Sequence, residues 1–353
     1  MKVKLNTDER PGWWVCGAEG PPAARLTRLP DPPPWRRFDQ ATRDARGDRF
    51  IPRQRDLDMV NAALYLRRPL LITGKPGVGK TSLTYAVAKD LGLGEVLRWS
   101  ITTSTTLKDG LYRYDAIARL QDASLQQTEE PGPGQPSGTA KPKAPPIGNY
   151  LRLGPLGTAF AQSQPKRPRV LLIDEIDKSD IDLPNNLLHI FEEGEFAIPE
   201  LERLPDERVR ILPSDAPEGA TPETDHGIPV TRGRVCCAGF PLVVMTSNAE
   251  REFPPAFLRR CLKLDMILPG FDDLKAIVKV HLFGTDPTDP DILHFALPNQ
   301  IEDLIRDFLA RRDGPPTRDL AADQLLNAVY MVMGDPTRDL QDLIDTLWRP
   351  LSG

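Results

Sequence analysis

Metal-binding and disulfide patterns are missing from this sequence. Its 353 residues hold four cysteines, Cys16, Cys236, Cys237 and Cys261, with no C-x-x-C spacing, and four histidines with no H-x-x-x-H pair. These absences argue against a zinc site and leave reduced thiols in the cytoplasm as the simplest expectation. No apolar run approaches the roughly 18 residues that cross a bilayer, so no membrane partner is expected. The opening stretch MKVKLNTDERPGWW lacks the apolar core of about 7–15 residues that marks a secretory leader. Net charge is -5, so no overall basic excess points to nucleic acid, although a local basic channel stays open.

Proline is abundant instead. Thirty-seven prolines are too many for an even spread, so some segments should hold little structure. Residues 1–45 read as a loose lead-in with Trp13, Trp14 and Trp35 as docking points. The stretch 126–146, QQTEEPGPGQPSGTAKPKAPP, reads as a disordered insertion because it has too little apolar surface to bury.

Between and after these segments lie ordered patterns. DLDMVNAALYL has helical apolar spacing; PLLIT, VLRWSI, VLLID and PLVVMTSN read as buried strands. Aliphatic strands alternating with helices predict an α/β fold, a parallel sheet sandwiched by helices. From Phe271 onward only helical patterns follow, which predicts a helical lid domain over 271–353 after an α/β domain over 46–270.

The chemistry begins at Gly74-Lys75-Pro76-Gly77-Val78-Gly79-Lys80-Thr81, which fits G-x-x-x-x-G-K-[ST]. Glycines let the backbone curl around phosphate oxygens, and the following helix aims its positive end at them. Lys80 can reach the β- and γ-phosphates of ATP, Thr81 can ligate Mg²⁺, and Ser82 follows in the same turn. Asp174 and Glu175 emerge from the strand VLLID. Asp174 is the candidate holder of Mg²⁺, and Glu175 the candidate base that polarises the attacking water. Asn248, at the end of PLVVMTSN, could orient that water.

The order of these motifs, followed by PPAFLRRC and a helical tail, resembles an AAA+ ATPase. IDEIDKSDIDLPNNLLHIFEEGEF and YLRLGPLGTAFAQ are most similar to the MoxR group. The resemblance implies that Asn248 is the first sensor and that Arg260 reaches a neighbouring subunit's γ-phosphate, with Arg259 the alternative. The family often has phenylalanine where this chain has Cys261, and seldom a doubled arginine. Ile51, in the stretch RFIP, falls where the family contacts adenine. The implied protein is a homo-oligomeric ring, a hexamer in the expected form, that hydrolyses ATP to remodel a protein partner carrying a von Willebrand A-type domain. Alternatives are a motor stimulated by nucleic acid and a stand-alone P-loop nucleotide-binding protein. The guanine signature N-K-x-D is missing, which disfavours a GTPase.

One pentapeptide, PTRDL, occurs at 316–320 and again at 336–340. Proline, threonine and aspartate all suit a helix start, so neither copy needs chemistry to exist. The resemblance places the second sensor arginine at Arg318 and leaves Arg338 a surface role.

Overall fold

A computed structural model describes residues 14–16, 20–37, 47–128, 146–204, 208–224, 226–284, 296–314, 319–334 and 340–349. Arg318, Arg338, Trp13 and residues 129–145 of the expected insertion lie outside these. The first residues of that insertion are helical, because the helix Ala116–Thr128 runs into it.

The chain divides into two compact units, both discontinuous in sequence. One unit comprises Gln54–Thr73 and Val87–Asp265. Its centre is a five-stranded sheet of β1 (Leu70–Thr73), β2 (Leu97–Ser100), β3 (Val170–Asp174), β4 (Leu242–Ser247) and β5 (Leu262–Asp265). The order is β5-β1-β4-β3-β2, and every pairing is parallel. The four strands read from the sequence are therefore present, and β5, LKLD, is a fifth that the sequence reading did not single out. β3 and β4 are buried at every position, which is why their sequences are near-continuous aliphatic runs rather than alternating ones.

Helices cover this sheet. Gln54–Leu66 packs on β1 and β5, and Pro155–Gln162 packs on β2 and β3. Leu156, Ala159 and Phe160 from the second helix join Leu97, Trp99, Leu171, Ile173, Val243 and Met245 in one apolar core. Beyond the sheet, a separate antiparallel sheet is built from Glu195–Ala197, Arg234–Cys236, Ile228–Thr231 and Arg208–Ile211.

The other unit comprises Met1–Arg53, Gly74–Ala86 and Met266–Gly353. Four of its helices, Phe271–Phe283, Asn299–Asp313, Ala322–Gly334 and Gln341–Leu347, lie in the tail whose sequence shows only helical patterns. Leu274, Val278, Ile305, Phe308, Val329 and Trp348 form their core. The lead-in contributes to this unit instead of hanging loose over its whole length. Trp35 packs against that core, donates from Nε1 to Asn327 Oδ1 at 3.2 Å and meets the Tyr330 ring edge-on. Tyr330 in turn donates its hydroxyl to the Asp31 carbonyl at 2.7 Å.

Cys261 follows the short helix Pro255–Arg260 and is buried. Burial pushes its thiol up to about 12 from an ordinary value of 9.0, with the Arg68 charge offsetting only part of the rise. Folding thus keeps this proton on. The resulting stability is fully present below pH 9.0 and is lost as pH rises toward about 12. In the native protein at pH 8, iodoacetamide should leave Cys261 unmodified by mass spectrometry, and urea should expose it. A Cys261→Ala variant should lose less stability than wild type between pH 9 and pH 11, read by chemical denaturation.

Candidate phosphate-binding and acidic sites

Directly after β1 the chain enters the glycine loop. Gly74, Gly77 and Gly79 all have positive φ, at 151°, 79° and 92°. Such angles favour glycine, the residue type that lets a backbone curl around an anion. The loop is also closely approached. A β-carbon on Gly77 would lie 2.7 Å from the Ala321 β-carbon, and one on Gly79 would lie 2.6 Å from the Phe50 ring. A β-carbon on Gly74 would meet the Met266 carbonyl oxygen at 2.7 Å.

Lys80 opens the helix Lys80–Asp90. Its ammonium is buried and donates to the carbonyls of Gly74 at 2.5 Å and Lys75 at 3.0 Å. The cation is therefore folded into the loop's concavity, where a phosphate would exchange for carbonyl partners. Thr81 and Ser82 stand half-buried in the first helical turn, and Val78 is half-buried between the glycines. Lys75 and Pro76 are exposed, and Lys75 pairs with Asp319. Ile51 is half-buried beside Phe50, the residue whose ring touches the loop. These residues fit a nucleotide polyphosphate by backbone shape and by charge.

In the sheet unit, Asp174 ends β3 and is only 7% exposed. Its Oδ2 accepts from Arg98 Nη2 at 2.6 Å, and its Oδ1 accepts from the Thr246 hydroxyl at 2.7 Å. The Asp174 carboxylate is an oxygen donor of the kind a hard divalent cation takes, and a cation bound directly at Oδ2 would compete there with Arg98. Glu175 stands in the left-handed region with φ 61° and ψ 50°. Its carboxylate pairs with Lys178 at 2.8 Å, and this pairing raises the Lys178 pKa. Asn248 lies one residue past β4. Its backbone N–H is held by Asp177 Oδ2 at 2.8 Å, and its side-chain amide donates to Glu250 at 3.3 Å. Among the described residues no cluster of three or more His, Cys, Asp or Glu could hold a metal ion by itself. No helix among them is long and apolar enough to cross a membrane.

Residues 69–261 match the family model described as AAA domain (dynein-related subfamily), which is more than half of the chain. This chain belongs to that AAA family. The parallel sheet flanked by helices, with a helical C-terminal region, is accordingly the AAA+ P-loop NTPase fold expected from the sequence. No curated protein matches the chain. Among solved structures, the chain is similar to a mutant of Thermotoga maritima RuvB, at 14% identity and a TM-score of 0.40, over 83% of this chain and 67% of that one. It is also similar to C. elegans PCH-2, at 16% identity and a TM-score of 0.41, over 86% of this chain and 70% of that one.

In this AAA protein the two arginines of PPAFLRRC differ in setting. Arg260 is ion-paired with Glu192, and Arg259 is exposed. Arg68 donates to the backbone carbonyls of both, which caps the short helix. Arg98, Lys178, Asp177 and Thr246 were not singled out by sequence. The one local signal at Thr246 is a hydroxyl residue that, with Ser247, ends an otherwise apolar strand.

Adding a methyl group tests the loop. Gly79→Ala combines a left-handed angle with a clash on Phe50, so it should destabilise the protein by about 1–3 kcal/mol in urea denaturation. It should also abolish binding of a fluorescent ATP analogue.

Proposed function

We propose that this AAA protein binds ATP with Mg²⁺ and hydrolyses it as a homo-oligomeric ring, a hexamer, in the manner of the MoxR group. Turnover would then drive remodelling of a protein partner, one with a von Willebrand A-type domain. The setting proposed is the cytoplasm. The division of labour proposed is an AAA+ core over 46–270 and a helical lid over 271–353, with the lead-in before them. The observation that carries the reading is the glycine loop, with three left-handed glycines leading straight into the helix that Lys80 opens.

The residues divide the work. Backbone N–H groups of Gly77 to Lys80 bind phosphate oxygens, and the Lys80 ammonium leaves its carbonyl partners for the β- and γ-phosphates. Magnesium, held by Thr81 and Asp174, would supply charge neutralisation at those oxygens. Glu175 takes a proton from water as the water oxygen bonds to the γ-phosphorus and the bridging oxygen leaves with ADP. Asn248 orients that water. Ile51 lies beside adenine. Arg260 serves the neighbouring subunit's γ-phosphate after exchanging Glu192 for it, with Arg259 as its exposed neighbour.

Arg318 is proposed as the second sensor. Its chain neighbours support this: Asp319 pairs with Lys75 of the loop, and Ala321 sits against Gly77.

Two experiments test the reading. Lys80→Ala should abolish ATP binding in equilibrium dialysis, whereas Glu175→Gln should bind ATP and hydrolyse it at least ~100-fold more slowly, the scale of general-base contributions. Unchanged affinity or near-normal turnover, respectively, would remove the assignment. Arg260→Ala should bind ATP without turning it over, and mixing it with Glu175→Gln should restore part of the activity. Absence of rescue between variants that demonstrably co-assemble would argue against a site shared by two subunits.

A further inference from the structure

Thr246 is almost completely buried, at 1% exposure, and lies at the carboxyl end of β4. β4 pairs with β3 in parallel, with Met245 opposite Ile173, so the next residues in register are Thr246 and Asp174. The Asp174 carboxylate and the backbone of the next residue, Glu175, both reach this one hydroxyl. Thr246 Oγ1 donates to Asp174 Oδ1 at 2.7 Å and accepts from the Glu175 backbone N–H at 2.9 Å. A hydroxyl has one proton and two lone pairs, so it can make both bonds at once. The directions are fixed, because a backbone N–H can only donate.

We propose that Thr246 is a positioning residue for hydrolysis, setting the Asp174 carboxylate and the Glu175 backbone together through its hydroxyl. This inference rests on the hydrolytic reading above. At Asp174, Oδ1 is held by Thr246 and Oδ2 by Arg98, so the carboxylate plane is fixed from two sides. A divalent cation at Oδ2 would compete with Arg98 there, while Oδ1 would keep its bond from Thr246. At Glu175, a non-glycine residue in the left-handed region persists only where its surroundings over-determine it. Thr246 restrains its N–H, and Lys178 N–H restrains its carbonyl at 3.0 Å.

A packing role alone would be served equally by valine, which has nearly the same shape. Thr246→Val is therefore the discriminating variant, with Thr246→Ser as the conservative one that keeps the hydroxyl. Steady-state hydrolysis, melting temperature and Mn²⁺ affinity of the ATP-bound protein by electron paramagnetic resonance should be read on both, beside Glu175→Gln. Thr246→Val should lower kcat at least tenfold with KM within twofold, and should weaken Mn²⁺ binding severalfold. Thr246→Ser should stay within threefold of wild type in all of these.

Thr246→Val within twofold of wild type, while Glu175→Gln is inactive, would overturn the role of Thr246 alone. Normal turnover in both would instead overturn Glu175 as the base together with Thr246 as its positioner, and absence of ATP hydrolysis by the wild type would overturn the hydrolytic reading itself. Should Thr246→Val give no cooperative melt, Thr246→Ala takes its place with the same expectations. If both fail to fold while Thr246→Ser folds, the hydroxyl serves stability, and the proposal is overturned.

Discussion

Three absent β-carbons set the spacing of the unit that contains the glycine loop. Phe50, Met266 and Ala321 come from distant parts of the chain, and each sits where a side chain on Gly79, Gly74 or Gly77 would have to be. A loop of ordinary residues would push all three outward. The backbone geometry that can curl around an anion is thus the geometry that lets these segments close on it. The Lys75–Asp319 pair adds a charge contact at the same place, and its exposure makes it a weak one by itself.

At the other site the governing constraint is the pairing of buried acids. Asp174 cannot be left buried without partners, because an unpaired carboxylate is costly in a low-dielectric interior. Arg98 and Thr246 meet that need from the strands on either side, β2 and β4. Asp177 serves the turn in a similar way, accepting the N–H groups of Asn248 and Glu250 on one oxygen. Four acidic or amide residues are thereby oriented by neighbours that belong to other strands or turns.

This explains what could be read in the sequence. The glycine loop and VLLIDE are local: their chemistry and their backbone geometry are written in consecutive residues, so the loop, the strand and the order of motifs were legible. Four of the five strands and the tail helices followed from periodicity for the same reason, whereas β5, only four residues long and half polar, carried no such pattern. Thr246 and Asp174 are 72 residues apart, and Arg98 and Asp174 are 76 apart. No local pattern marks such partners. The docking of Trp35 on Asn327, across 292 residues, was visible only as an unusual aromatic in a proline-rich stretch. The tail helix Ala322–Gly334 begins just past the first PTRDL copy, and the Gln324 side chain caps its start by accepting the Ala321 N–H.

That helix, Ala322–Gly334, has an optical property. Two indoles donate to it, Trp348 to the Gln324 carbonyl and Trp35 to the Asn327 side chain. Their attachment points are three residues apart, about 4.5 Å along the axis at ~1.5 Å per residue. Ala321, next to the helix start, lies against Gly77 of the loop. Tilt or fraying that starts at the loop end would reach Trp348 before Trp35. Their emission would therefore record the direction of the disturbance along the helix without any attached dye.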